Sequence, residues 1–486
     1  MPELIWKGKE QVMNHHLEVP VRCLDRRFTY NAEESENRII HGDNLEALKA
    51  LLPEYEGRVK CIYIDPPYNT GNESWVYNDN VKDPRIVRWL GEVVGKEAED
   101  FCRHDKWLCM MYPRLQLLKR LLANDGVIFV SIDDTEQASL RVVFDEIFGR
   151  GNFIANIVWQ KAYTSNQTAK FISNTHDHII AYGKNISFST IGKISRTEEQ
   201  KAKFKNPDND FRGPWKAENL SAGKFYSAGQ FKITGPTGII FEPPKGRYWR
   251  CNEEQYNKWL HDDRITFGKN NTGRPMLKKF LSEMVAGLTP PTWWPHEEFG
   301  SNKQASIELK AIFSGDAVFD TPKPVSLIEK ILQIASDKNS IILDSFAGSG
   351  TTAHAVLNLN KKDNGNRKFI LIEMMDYAET ITAERVRRVI DGYGADNKAV
   401  PGTGGDFSYY TLGERIFDDE DNLNESIGIA KDSGLRGPHG TASRRRTRRA
   451  SGLAGRKRPH GVLFPLSAGS GHLPEHGFPG HPDPEK

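Results

Sequence analysis

Cysteine is scarce in this chain of 486 residues: there are five (Cys23, Cys61, Cys102, Cys109, Cys251), an odd number with no C-x-x-C pair. That scarcity excludes a disulfide framework and a zinc ribbon, and it points to reduced thiols. Long apolar runs are lacking as well, and nothing approaches the ~20 consecutive apolar residues of a membrane span. The first 16 residues hold charges and a tryptophan but no apolar stretch, so no secretory signal is expected and a cytoplasmic location is. Net charge is nearly absent too, at +2. It is unevenly spread, because residues 432–486 carry ten basic and four acidic side chains, which leaves −4 for residues 1–431. A body of that sign is not a globally basic nucleic-acid binder, and any basic groove must be local. Metal-ligand spacing is the last absence. His176-Asp177-His178 lies in a strand-like stretch at 175–182 and puts two histidines on one face. With no third ligand in view, no metal is expected.

What the chain does have is strands that end in acids. Residues 59–64 form an apolar, β-branched run that stops at Asp65-Pro66-Pro67-Tyr68. Adjacent prolines lack N–H groups and have φ fixed near −65°, so they cannot continue a ladder. Asp65 therefore stands at the strand's carboxyl edge, followed by a stiff turn that presents Tyr68. That edge is where open α/β sheets bind ligands. A carboxylate, a rigid carbonyl and a ring suit the gripping of a planar, amine-bearing ring. An ordinary strand-end turn with a buried tyrosine is the competing reading.

Before this stretch, residues 1–35 read as a mixed segment, and order is expected from Asn37. Residues 38–41 form a short strand ending at Gly42-Asp43, with helical spacing over 45–52. Asp43 is either the cap of that helix or a strand-end acid, and locally the cap is favoured. The polar loop at 69–95 is a candidate lid. Helices at 107–122 and 136–148 then alternate with strands at 127–132 and 153–159, the signature of βαβ units and a mostly parallel sheet.

The texture changes over 160–310, where cations and rings interleave, as in Phe211-Arg212-Gly213-Pro214-Trp215-Lys216 and Lys245-Gly246-Arg247-Tyr248-Trp249-Arg250. Such runs suit phosphates and exposed bases; they equally suit an irregular insertion with small cores. The alternation returns at 311. A helix over 324–335 precedes the strand 341–343, which runs into Asp344-Ser345-Phe346-Ala347-Gly348-Ser349-Gly350-Thr351-Thr352 and a helix. A strand over 368–372 ends at Glu373, and a helix covers 377–390. A strand, glycine turn, helix and acid-ended strand describe a nucleoside crevice, in which backbone approaches the ligand and the acid accepts from ribose hydroxyls. The turn is Phe-Ala-Gly-Ser-Gly and not G-x-G-x-x-G, which favours S-adenosylmethionine over a pyrophosphate-bearing cofactor. From about 432 the chain is Arg-, Gly-, Pro- and Ser-rich without periodicity. It reads as disordered, either a basic arm or a tail outside the native frame.

Together these residues resemble the β-group DNA amino-methyltransferases, in which Asp-Pro-Pro-Tyr precedes Phe-x-Gly-x-Gly. Within them the chain is similar to the adenine-N6 modification subunits of type III restriction-modification systems. The likeness spans roughly 4–430 and includes His41-Gly42-Asp43-Asn44-Leu45-Glu46, Met111-Tyr112-Pro113-Arg114-Leu115 and Thr321-Pro322-Lys323-Pro324. It implies an α/β fold, the Rossmann-like sheet of S-adenosylmethionine-dependent methyltransferases, with permuted motif order and an inserted target-recognition region. The implied organisation is an N-terminal segment at 1–35, a catalytic half at 36–159, the recognition region at 160–310, a cofactor half at 311–415 and a C-terminal segment at 416–486. Phe346, Gly348 and Gly350 would cradle the cofactor at the end of the Asp344 strand. Glu373 would take its ribose, Asp43 its adenine, and Lys323 would lie along its methionine end. The implied partners are double-stranded DNA, with a second copy and a restriction subunit as candidates, and no membrane.

The chemistry that follows is methyl transfer to a flipped adenine. Asp65 and the Pro66 carbonyl, held by Pro67, would accept the two amine hydrogens, and Tyr68 would stack on the base. Asp at the first motif position favours adenine N6 over cytosine N4 at the family level. A second class of reading is a truncated, non-catalytic DNA-binding relic, since the family continues past 430 with more ordered sequence. Label transfer from S-adenosylmethionine to DNA separates the two.

Overall fold

Short β-branched and aromatic runs, apolar on both sides, are what a sheet covered on two faces requires. The chain supplies several of them. The computed structural model describes residues 3–70, 100–285, 287–417 and 424, all within a unit spanning Met1–Gly437. The loop at 69–95 beyond Thr70 and the tail from 432 lie outside the described residues.

Ten strands form one mixed sheet: β1 (Arg22–Tyr30), β2 (Arg38–His41), β3 (Val59–Ile64), β4 (Leu122–Ile132), β5 (Phe153–Gln160), β6 (His176–Gly183), β7 (Trp293–Trp294), β8 (Ile341–Asp344), β9 (Lys368–Glu373) and β10 (Phe407–Arg415). Their order is β1-β10-β2-β9-β8-β3-β4-β6-β5-β7. From β10 to β4 every neighbour is parallel. β6 pairs antiparallel with β4 and with β5, and β1 antiparallel with β10.

Alternate residues of the central strands face opposite layers. Ile62, Ile128, Val130, Leu343, Ile370 and Ile372 pack under α1 (Asn44–Tyr55), α2 (Asp100–Leu121) and α3 (Gln137–Phe144). Tyr63, Phe129, Ile342, Phe369 and Leu371 pack under α4 (Asn302–Ile312), α5 (Val325–Ala335), α6 (Thr351–Asp363) and α7 (Glu384–Asp391). The molecule is therefore a mixed α/β sandwich of three layers.

Order begins earlier than residue 37. Helical turns at Lys9–Val12 and His15–Glu18 precede β1, whose polar sequence carries no strand-like apolar pattern. β1 is an edge strand, where charge is tolerated. It is held by the β10 ladder and by Phe28 stacked 5.0 Å from Tyr409. Within 160–310, His176–Gly183 and Trp293–Trp294 are strands of the main sheet. A separate small core gathers Leu220, Ile233, Trp249, Tyr256, Ile265 and Leu277, between residues 220 and 277.

Candidate active site

The central strands β9, β8 and β3 run parallel, and the connection leaving β8 goes to β9 while that leaving β3 goes to β4, in opposite directions along the sheet. That is a topological switch point, the place where an open sheet leaves a crevice. Here it holds a cavity of about 570 Å3, lined among others by Asp65, Pro66, Tyr68, Phe319, Lys323, Asp344, Phe346, Gly348, Glu373 and Tyr377.

On one wall stands the Asp-Pro-Pro-Tyr turn. Trp107 of α2 is fully buried, and its indole N–H donates to the Pro67 carbonyl at 2.7 Å, which pins the turn. Asn69, at φ +61°, donates to the buried Glu136 carboxylate, which His104 also meets at 2.6 Å. Burial pushes the Glu136 pKa up, partly offset by those contacts. Asp65 Oδ2 accepts from the Lys323 ammonium at 2.5 Å. Its other oxygen, Oδ1, is buried and accepts no hydrogen bond from the described residues. The Lys323 Nζ also lies 5.0 Å from the centre of the half-buried Tyr68 ring. The Tyr68 hydroxyl donates to Asp177 Oδ2 at 3.4 Å. Enclosure, then Asp65 and Asp177, hold its pKa well above the ordinary phenol value, so it stays a neutral donor.

The facing wall is the glycine turn. Asp344 Oδ1 accepts from the Phe346 N–H at 3.0 Å and Oδ2 from the Thr352 hydroxyl at 2.5 Å. Burial still raises its pKa to about 7. Gly348 takes φ +51°, and a Cβ there would stand 3.2 Å from the Phe319 ring. Gly350 takes φ +81° and opens α6. Glu373 is buried, with Oε2 accepting from the Gly348 N–H at 2.8 Å and Oε1 from the Met375 N–H at 3.0 Å. Its pKa is raised by burial and drawn back by those N–H groups.

Most residues anticipated from the sequence line this cavity, with three differences of position: Gly350 is not among the lining and faces the Thr382 carbonyl, and Asp43 and Lys323 stand elsewhere than expected. Asp43 caps α1, accepting from the Leu45 and Glu46 N–H groups, and pairs with Arg114 at 3.3 Å. It lies beside the crevice, where the Gly42 N–H donates to the Glu373 carbonyl, and is not among the cavity's lining residues. Lys323 presents its ammonium to Asp65, while its carbonyl accepts from Thr351. Sequence reasoning did not find Asp177, Lys161 or Arg385. Lys161 pairs with the buried Asp177 at 2.7 Å. The buried Arg385 braces the glycine turn from below, donating to the Ser349 and Thr351 hydroxyls at 2.9 and 2.8 Å. The histidine pair also acquires a neighbour: His178 Nε2 lies 2.9 Å from Asp134, and the three ligand-type side chains are within 4.8 Å of one another.

The family model described as DNA methylase, of the N6/N4 type, matches residues 59–384. This chain belongs to that DNA methylase family. It is 34% identical to the StyLTI Mod subunit of Salmonella typhimurium, a type III restriction-modification enzyme, over 87% of this chain and 67% of that protein. It is 35% identical to the EcoPI Mod subunit of Escherichia phage P1, over 76% and 63%. The chain thus spans about two thirds of the length of these relatives. Among solved structures, a DNA modification methylase of Thermus thermophilus complexed with S-adenosyl-L-methionine aligns at 16% identity and a TM-score of 0.36, over 77% of this chain and 99% of that one. Among the described residues of this family member, no helix is long and apolar enough to cross a membrane.

Proposed function

We propose that this DNA methylase transfers a methyl group from S-adenosylmethionine to the N6 amine of an adenine flipped out of double-stranded DNA, as the modification subunit of a type III restriction-modification system. One observation carries the reading. Asp65 holds a buried, unpartnered carboxylate oxygen beside Pro66 and the Tyr68 ring, across the same cavity from the glycine turn and Glu373.

The cavity fits such a cofactor. It has a backbone cradle at Gly348, a buried acid at Glu373 for hydroxyl donors, and the Phe319, Phe346 and Tyr377 rings for a base. When bound, S-adenosylmethionine supplies an electrophilic methyl group on a sulfonium. The chain's own contribution is positioning. An aromatic amine is a poor nucleophile because its lone pair is delocalised into the ring. Asp65 Oδ1 and the Pro66 carbonyl accept its two hydrogens and draw the nitrogen towards tetrahedral geometry. Tyr68 offers the stacking face, and its neutral hydroxyl, tied to Asp177, keeps the ring from turning. The base slot is held by the Lys323 ammonium, which must leave the Tyr68 face as the base enters. The methylated nitrogen then carries a surplus proton, which it releases through the Asp65 carboxylate to water, so positioning of this kind can supply several kcal/mol of the barrier without a strong base.

The finer fold belongs to the same reading: the methyltransferase sheet with permuted motif order, with catalytic half 36–159, recognition region 160–310 and cofactor half 311–415. The small core around Trp249, with exposed Phe211 and Phe225 nearby in sequence, supports a recognition role for that region. A restriction subunit and a second copy of the chain are the proposed protein partners.

The test is transfer of labelled methyl from S-adenosylmethionine to duplex DNA, followed by digestion to nucleosides. Label on N6-methyladenine is expected, with loss of roughly a hundredfold or more in Asp65→Ala, whose cofactor binding by equilibrium dialysis is retained. Label on cytosine overturns the base assignment, and no label from the intact chain overturns the enzyme reading.

A further inference from the structure

The connection from β5 to β6, residues 161–175, leaves the sheet at the edge where Asp65 stands. The register fixes this: Ile64 pairs with Val130, Val130 with Ile180, and Gln160 with His176 at the strand ends. Its root is tied to the active site, since Lys161 pairs with Asp177 and Asp177 accepts from Tyr68. The Ala162 N–H donates to the Thr175 carbonyl at 3.2 Å and closes the base of the loop. Higher up, the Asn166 N–H donates to Ser173 Oγ at 2.7 Å, and the Asn166 side chain accepts from Thr168. The loop is therefore a built projection.

At its far side stand Phe171 and Ile172, exposed by 86% and 91%. Among the described residues no other adjacent pair of large apolar side chains is as open. Lys170 sits beside them, its ammonium 5.2 Å from the Phe171 ring. Burial of two such side chains is favourable, and the free protein forgoes it. A base drawn out of a duplex leaves a gap of the complementary kind. It is apolar above and below and flanked by phosphates, and side chains such as Phe and Ile fill such gaps.

We propose that Phe171 and Ile172 form a wedge that enters the DNA stack where the target base leaves it, with Lys170 meeting the adjacent phosphate. The wedge rests on the methyl-transfer reading above. It acts on the opening of the duplex and touches neither the cofactor nor the amine. The chain thereby joins the wedge and the stacking platform mechanically: Phe171 and Ile172 lie on a loop whose root, Lys161-Asp177, fixes Tyr68.

The test uses the full chain with Phe171→Ala and Ile172→Ala combined, on the site mapped from bases methylated by the unaltered chain. Two duplexes are compared, one fully paired and one with an abasic position opposite the target adenine. On the paired duplex kcat/KM is expected to fall roughly ten- to hundredfold, and on the abasic duplex to stay within about threefold, because an unpaired base costs less to extrude. Both residues are exposed, and an unchanged affinity for S-adenosylmethionine checks that the variant is folded. Unchanged activity on the paired duplex, or equal losses on both, overturns the wedge while the methyltransferase stands. An unaltered chain that methylates no base in DNA, so that no site can be mapped, overturns both.

Discussion

Asp344 ends its strand with both carboxylate oxygens engaged, yet burial places its pKa near 7, above the 3.8 of an ordinary aspartate. Between those values the folded chain keeps a proton that the unfolded chain releases. Stability therefore falls as pH rises through that window and is level above it. The full penalty is on the order of 4 kcal/mol. Asp344→Asn keeps an acceptor for the Phe346 N–H and offers its amide to the Thr352 hydroxyl. In urea unfolding of the free protein, the variant's advantage over the unaltered chain should grow from pH 5 to pH 8. A difference that does not change with pH contradicts the assignment. Asp344, Asp65 and Glu373 were legible in the sequence because each follows a short apolar run. Lys323 on Asp65 and Tyr68 on Asp177 were not, because those partners lie 258 and 109 residues apart.

The elements that the sequence announced best are the central ones. β3, β8 and β9 have apolar residues on both faces and end at, or one residue before, an acid, and α5 repeats its apolar residues at helical spacing. The element that hid was β1, whose stability comes from pairing and not from its own pattern. The glycine turn lies between these cases. Gly350 is at φ +81°, and a Cβ there would meet the Thr382 carbonyl at 3.1 Å. An L side chain in that region costs about 1–2 kcal/mol. Gly350→Ala should lower unfolding stability by about that amount and weaken S-adenosylmethionine binding, whereas Gly151→Ala, with open space around it, should do neither. Urea midpoints and equilibrium dialysis check both.

Across the whole molecule, the core around Trp249 is distinct from the two layers that flank the main sheet. The Trp249 indole is buried and donates to the Phe231 carbonyl at 2.9 Å. Removing it should cost that small core about 3–5 kcal/mol. Trp249→Ala is therefore expected to lose sequence-specific DNA binding in a gel-shift assay while keeping its affinity for S-adenosylmethionine. Loss of both would mean that the two cores unfold as one. The change of texture at 160 marks where apolar periodicity thins, but the main sheet takes β6 and β7 from beyond it, because Ile179, Ile180, Ala181, Tyr182 and Trp294 are buried in its two layers.

The sequence by itself determined the strand-end acids, the stiff Asp-Pro-Pro-Tyr turn, the glycine turn and the family they resemble. Each depends on residues adjacent in the chain. The tertiary structure alone decided which acids face one cavity, that Lys323 rests on Asp65, and that Asp43, whose capping role was already legible locally, stands beside the crevice and not in its lining. It also decided that Phe171 and Ile172 project from the Asp65 edge of the sheet. Those facts depend on strand order and register, which bring together segments that no local pattern connects.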